Sequence, residues 1–193
     1  LYRWIEYYKI KFKSRVYTPL NNSEKYTLVL MGRADFGLLG SYNKYKQTPF
    51  ETFHVGGDGM TGSYTYATET IGLRGYDNGA LTPYSDGRAY TRFSMELHFP
   101  FLLQPSSTIY GLAFVEGGNA WTSLENFNPF SLKRSAGVGV RIFLPMIGLM
   151  GIDWAYGFDK VQGEKGGGHF HFILGQELSL IHISEPTRPI SIS

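Results

Sequence analysis

A chain of 193 residues with no Cys, 24 Gly, 14 Tyr, 14 Phe and only 18% charged residues has the composition of a turn-rich all-β protein, and the missing thiols exclude disulfide staples and thiolate metal sites. Its longest apolar run, residues 142–152, is broken by Pro145, Gly148 and Gly151 and falls short of the ~18 residues that carry a helix across a bilayer, which excludes a transmembrane helix. A formal net charge of +2 without any Lys/Arg run excludes a nucleic-acid footprint.

Residue 1 already stands inside an alternating pattern, with no initiator Met and no signal peptide ahead of it, so the start is expected to be a cut. Residues 2–20 place Tyr8, Ile10, Phe12 and Val16 on one face and Tyr7, Lys9, Lys11, Lys13 and Arg15 on the other, a strand with one apolar and one basic side. Turn chemistry follows at residues 18–23. Residues 26–42 form a second strand, with Tyr26, Leu28, Leu30, Ala34 and Phe36 opposite Thr27, Arg33 and Asp35. A third, shorter strand is predicted over residues 50–55, ending at Gly56-Gly57-Asp58-Gly59.

After a long connection, residues 90–101 alternate most clearly: Phe93, Met95, Leu97, Phe99 and Phe101 share one face, Arg92, Ser94, Glu96 and His98 the other. Residues 107–121 follow, with Tyr110, Leu112 and Phe114 expected outward by the same logic. Strands are then predicted over residues 134–144 and 149–160, the latter setting Met150, Ile152, Trp154, Tyr156 and Phe158 opposite Gly151, Asp153, Ala155, Gly157 and Asp159. The last covers residues 169–178, with Phe170, Phe172 and Leu174 outward. That makes eight strands, joined by connections that alternate roughly between short and long.

A soluble sandwich would alternate too, but its apolar faces would meet in a dry interior. Here the faces opposite the apolar ones carry Lys, Arg, Asp and small residues, too much charge for a dry core and suited to a wet lumen. The apolar faces end in aromatics (Tyr26, Tyr110, Trp121, Trp154, Phe158), as at the interfacial girdles of a membrane barrel. An antiparallel transmembrane β-barrel is therefore expected.

Barrel size follows from the connection spanning residues 56–87. It is far longer than a hairpin turn, which marks it as functional or disordered, and its glycines with Arg74 and Tyr76 suit a segment folded back into a lumen. Eight closed strands leave room only for side chains, so these strands are expected to be half of a larger barrel.

Four ordered motifs then carry a family likeness. Leu73-Arg74-Gly75-Tyr76 resembles the lumenal-loop signature, aliphatic-Arg-Gly-aromatic, of the BamA family of outer-membrane insertases with periplasmic POTRA repeats. Gly56-Gly57 ahead of the loop, residues 114–121 (FVEGGNAW), and residues 135–139 (SAGVG) with Pro145 downstream agree in order, and residues 172–177 (FILGQE) resemble the family's closing strand. The resemblance covers residues 1–178 and implies the C-terminal half of a barrel of about sixteen strands, with the POTRA repeats and earlier strands absent.

It also implies roles. A lumenal Arg keeps its charge and needs a carboxylate; Glu116, at the acidic position the family uses to hold its loop, is the expected partner of Arg74, one methylene longer than the Asp that relatives often carry. Gly75 would allow close approach or positive φ. The plainer alternative is an exposed turn Arg. In the closing strand, Phe170, Phe172, Leu174 and Gly175 are expected to form a weak seam, since a strand glycine weakens pairing by ~0.5–1 kcal/mol and an exposed edge templates another strand; an ordinary packing glycine is the alternative. The implied partners are unfolded β-barrel clients, outer-membrane lipids and accessory lipoproteins. The implied location is the bacterial outer membrane, with no cofactor, nucleotide or enzymatic step. A two-partner secretion transporter shares barrel and loop and is the rival pore; an outer-membrane acyl hydrolase or acyltransferase is the rival enzyme.

Other candidates carry less. His169 and His171 share a strand face, but two ligands do not make a metal site, and polar lumenal or periplasmic-end histidines are expected. Residues 56–62 are Gly-rich but lack the phosphate-loop ending, and no Gly-x-Ser-x-Gly elbow exists. Residues 163–168 read as a mobile connection. Residues 178–189 (LSLIHISEPTRP) resemble a translated sequencing adapter, so residues 179–193 are expected to be a non-native tail, with Leu178 where the family ends on an aromatic.

Overall fold

A computed structural model describes residues 7–21, 27–42, 51–59, 68–82, 86–104, 107–145, 148–161 and 166–174. Its strands are β1 (Tyr7–Pro19), β2 (Val29–Ser41), β3 (Thr52–Val55), β4 (Thr68–Ile71), β5 (Ala89–Gln104), β6 (Ser107–Trp121), β7 (Lys133–Leu144), β8 (Gly148–Gly157) and β9 (Gly168–Leu174), with one 3-10 turn at Leu124–Asn126. Seven of them form one antiparallel sheet in the order β1-β2-β5-β6-β7-β8-β9, and β3 and β4 pair in parallel as a separate ribbon. The sheet is an open meander rather than a closed barrel.

The antiparallel order sorts the connections by end. The β1–β2, β5–β6 and β7–β8 connections lie at one end, and the longer β2–β5, β6–β7 and β8–β9 connections at the other. Short connections at one end and long loops at the other are the rule for outer-membrane barrels, and the connections here follow it.

Burial runs opposite to that of a soluble sheet. Along β8, Ile152, Trp154 and Tyr156 are exposed while Gly151, Asp153, Ala155 and Gly157 are buried. In β9 Phe170, Phe172 and Leu174 are exposed and His171 is buried; in β7 Val138 and Val140 are exposed, Ser135 and Arg141 buried. Apolar rows toward lipid and polar rows toward a lumen are what a bilayer requires, because there the outer solvent is hydrocarbon.

Two expectations change. Residues 50–55 do not supply a wall strand. Strand β3 has no exposed apolar residue to offer to lipid: Phe53 and Val55 are buried with Leu39 of β2, Ile71 of β4 and Tyr90 of β5, and Leu81 and Ala120 pack against them. The insertion between wall strands therefore runs over residues 42–88, and its β3–β4 ribbon lies against the inner faces of β2 and β5. The second change is on β6, where Tyr110, Leu112 and Phe114 face inward and Val115 faces out. A strand has period 2, so Phe114 must share its face with Glu116, and both point into the lumen. Tyr110 is thus no girdle residue; its ring lies 5.4 Å from that of His98. Tyr26, Gly175 and the tail at residues 179–193 lie outside the described residues.

Candidate functional site

The lumenal loop is built by backbone first. Gly56 N–H donates to the Ile71 carbonyl at 3.0 Å and Gly57 N–H to the Leu73 carbonyl at 3.1 Å, so the two glycines that open the loop pair with the stretch that leads into the motif. Both have positive φ, 134° and 74°, a region costly for other L-residues. Leu73 is fully buried against Gly118 of β6, where a Cβ would come within 3.1 Å of the leucine methyl.

Arg74 follows, pinned by both its ends. Its amide N–H donates to Glu116 Oε2 at 2.9 Å; its guanidinium donates to Glu116 Oε1 at 2.6 Å, to Asp153 Oδ2 at 2.9 Å, and to Glu96. Arg74 and Glu116 are thus brought together, as the motif suggests, but one carboxylate does not take both prongs of the fork. Three carboxylates on β5, β6 and β8 share it. The Phe114 ring closes the remaining face, with the guanidinium carbon 3.5 Å from its centroid.

The cluster extends along the sheet. Arg92 donates to Glu116 Oε1 at 2.9 Å and Ser94 Oγ to the same oxygen at 3.1 Å; Arg141 grips Asp153 with both terminal nitrogens, one of them at 2.7 Å. Three guanidiniums (Arg74, Arg92, Arg141) therefore face three carboxylates (Glu96, Glu116, Asp153), and the Glu116 and Asp153 side chains are 0% exposed. Buried charges persist only when paired and hydrogen-bonded, and here the count balances. Burial opposes the charge on Arg74, yet Glu116, Glu96 and Asp153 leave it harder to deprotonate than a free guanidinium.

Gly75 and Tyr76 complete the motif. Gly75 sits at φ 87° with no room for a side chain: a Cβ would lie 2.8 Å from Ser135 Cβ and 3.0 Å from the Gly157 nitrogen. Its N–H donates to His171 Nε2 at 3.0 Å. Tyr76 donates its hydroxyl to the Arg134 carbonyl at 2.6 Å, and burial pushes its phenol up to about 12.

A second hold joins the loop to β1. Lys9 Nζ lies 2.7 Å from Glu51 and 3.2 Å from Glu69, and Lys11 lies 3.1 Å from Glu69. Burial alone would raise the Glu69 carboxyl, but Lys11 and Lys9 hold it below its usual range. The basic face of β1 is therefore the mate of acidic loop positions.

Glu96, Asp153, Arg92 and Arg141 escaped the motif reading. The signal for them was their parity: each lies on the inner face, where charge must be paired. Phe170, Phe172 and Leu174 of the predicted seam face outward on β9, apart from the loop. The His169 and His171 rings lie 6.2 Å apart, and among the described residues no group of three or more His, Asp or Glu is placed to hold a metal ion.

The fold has a counterpart among known proteins. The chain matches the Omp85 superfamily domain over residues 1–178. Among solved structures it is similar to BamA from Haemophilus ducreyi lacking POTRA domains 1-3, with a TM-score of 0.60 and 21% identity over 86% of this chain and 34% of that one. The chain thus spans about a third of that structure's length, and the likeness is one of fold. With a family match across nearly all its residues and a sheet turned inside out for lipid, the chain belongs to the Omp85 superfamily and carries part of a BamA-like β-barrel of the bacterial outer membrane.

Proposed function

We propose that the chain serves an outer-membrane assembly factor, which folds β-barrel clients and inserts them through a weak lateral seam beside β9. Arg74 acts as a lock that keeps the lumenal loop seated, and Glu116 is its principal partner. The observation that carries this reading is the shared guanidinium: one loop residue bridges β5, β6 and β8, so the loop's position and the curvature of the wall depend on each other.

The work done is mechanical and templating. A client strand gains main-chain hydrogen bonds by adding to an exposed sheet edge, and the hydrocarbon around it rewards burial of every backbone group in such pairs. Unfolded β-barrel clients, outer-membrane lipids and accessory lipoproteins are the partners this scheme requires, and no residue here is assigned to covalent chemistry. Gly175, which would soften the closing strand, belongs to the same proposal.

The test is complementation of a strain depleted of the full-length protein by Arg74→Ala. The barrel should still form, as judged by heat-modifiable gel mobility, while outer-membrane protein assembly falls. Unchanged assembly across all clients would end the lock. Loss confined to one secreted exoprotein would instead favour the two-partner secretion pore, which uses a similar barrel and loop.

A further inference from the structure

The loop motif is also tied to β9, through a contact whose chemistry depends on one proton. The Gly75 N–H donates to Nε2 of the buried His171. An imidazole nitrogen accepts only when it carries no hydrogen, so this bond specifies the neutral ring with its proton on Nδ1. An imidazolium would present N–H to N–H. Its surroundings would not compensate fully. Asp153 stands directly opposite His171 on β8 but already takes Arg74 and Arg141. The charged and titratable groups that also face the ring are Arg74 and Asp58 from the loop and His169 on its own strand, its ring 6.2 Å away.

The same strand holds the loop at a second point, where His169 Nδ1 lies 3.2 Å from Asp77 Oδ1. Phe170, Phe172 and Leu174 alternate with these histidines and face outward, so the polar hold of β9 on the loop runs through His169 and His171. A cationic His171 would lose its donor.

We propose that His171 is a positioning residue that couples the lumenal loop to β9, holding the motif while the ring is neutral and loosening it when the ring is protonated. The coupling stands on the Gly75–His171 geometry; its use in assembly rests on the function proposed above. Strand β9 and the loop would then move as one unit, and mild acid would uncouple them.

The experiment is hydrogen–deuterium exchange of the full-length protein in lipid nanodiscs, followed on the peptide covering residues 71–80 between about pH 5 and pH 8 and corrected for intrinsic exchange. Protection is expected to fall by about tenfold at the acid end, the worth of one buried hydrogen bond. His171→Gln keeps an acceptor without a titrating proton and should be protected throughout; His171→Leu should be unprotected throughout. A flat wild-type profile would overturn the proposal, and this needs no variant to fold. So would an acid response that survives in His171→Gln, or wild-type protection in a folded His171→Leu. A flat profile in a protein that still needs Arg74 for assembly would remove the coupling and spare the assembly function. An acid-sensitive loop in a protein indifferent to Arg74→Ala would do the reverse.

Discussion

Replacing Glu116 with Gln removes one negative charge from a balanced set and tests whether charge matching is what seats the loop. The carboxylate accepts from the Arg74 amide and guanidinium, from Arg92 and from Ser94, with no exposure to water. Each of its two ion pairs is worth ~4 kcal/mol gross at a separation of ~4 Å and an effective dielectric of ~20. Breaking a buried pair from one side costs ~3–5 kcal/mol because the other charge stays buried. Gln still accepts one hydrogen bond, so Glu116→Gln should cost ~3 kcal/mol. At a urea slope of ~1–3 kcal/mol per molar, the unfolding midpoint should move down by ~1–3 M. The decisive arm is the double variant Glu116→Gln, Arg92→Met. Arg92 has Glu116 as its hydrogen-bonded carboxylate among the described residues, so removing both restores neutrality and should recover ~1–3 kcal/mol as coupling. The assay is urea unfolding of the full-length barrel in lipid, read by heat-modifiable gel mobility. Strictly additive losses in the double variant would refute charge balance as the organising term.

Gly75→Ala should cost ~1–3 kcal/mol through a left-handed backbone and a methyl with no space beside Ser135 and Gly157; proteolytic exposure of residues 71–80 would report the displaced loop, and wild-type resistance would contradict the packing. Ile152→Arg, on the outer face of β8, should destabilise a lipid-embedded barrel by ~2–4 kcal/mol near the midplane, whereas a soluble sheet would tolerate it nearly unchanged. Glu69→Gln should cost only ~0.2–1 kcal/mol, because its lysine partners are partly exposed, and the loss should shrink at high salt. Since Glu69 is held below its usual range in the fold, its contribution is present above the unfolded carboxylate pKa of about 4.3 and is lost as pH falls through the lower folded value; urea midpoints against pH should show no such loss in Glu69→Gln.

Much of this was legible in one dimension. Alternation is a local property of the strand, so seven wall strands, the outward apolar rows of all of them but β6, and the basic face of β1 follow from residue order. The loop was legible because its length and glycines suit a segment folded into a lumen and Leu73-Arg74-Gly75-Tyr76 resembles a family signature, which implies a carboxylate partner for Arg74. Where both parities were apolar, alternation was degenerate. On β6, Ile109, Ala113 and Val115 compete with Tyr110, Leu112 and Phe114 for the lipid face, and Glu116 decides the matter by claiming the lumen. On β3, the short apolar stretch matched a strand without revealing that it packs under the wall instead of within it.

The chain alone determined an inside-out sheet and singled out Arg74, because side-chain period and the cost of burying charge act over a few residues. Tertiary structure decided which carboxylates share that guanidinium. Glu96, Glu116 and Asp153 come from three strands and meet only through the inter-strand register. Register is a sum of pairings distant in sequence, and the same long-range sum brought His171 under the Gly75 amide.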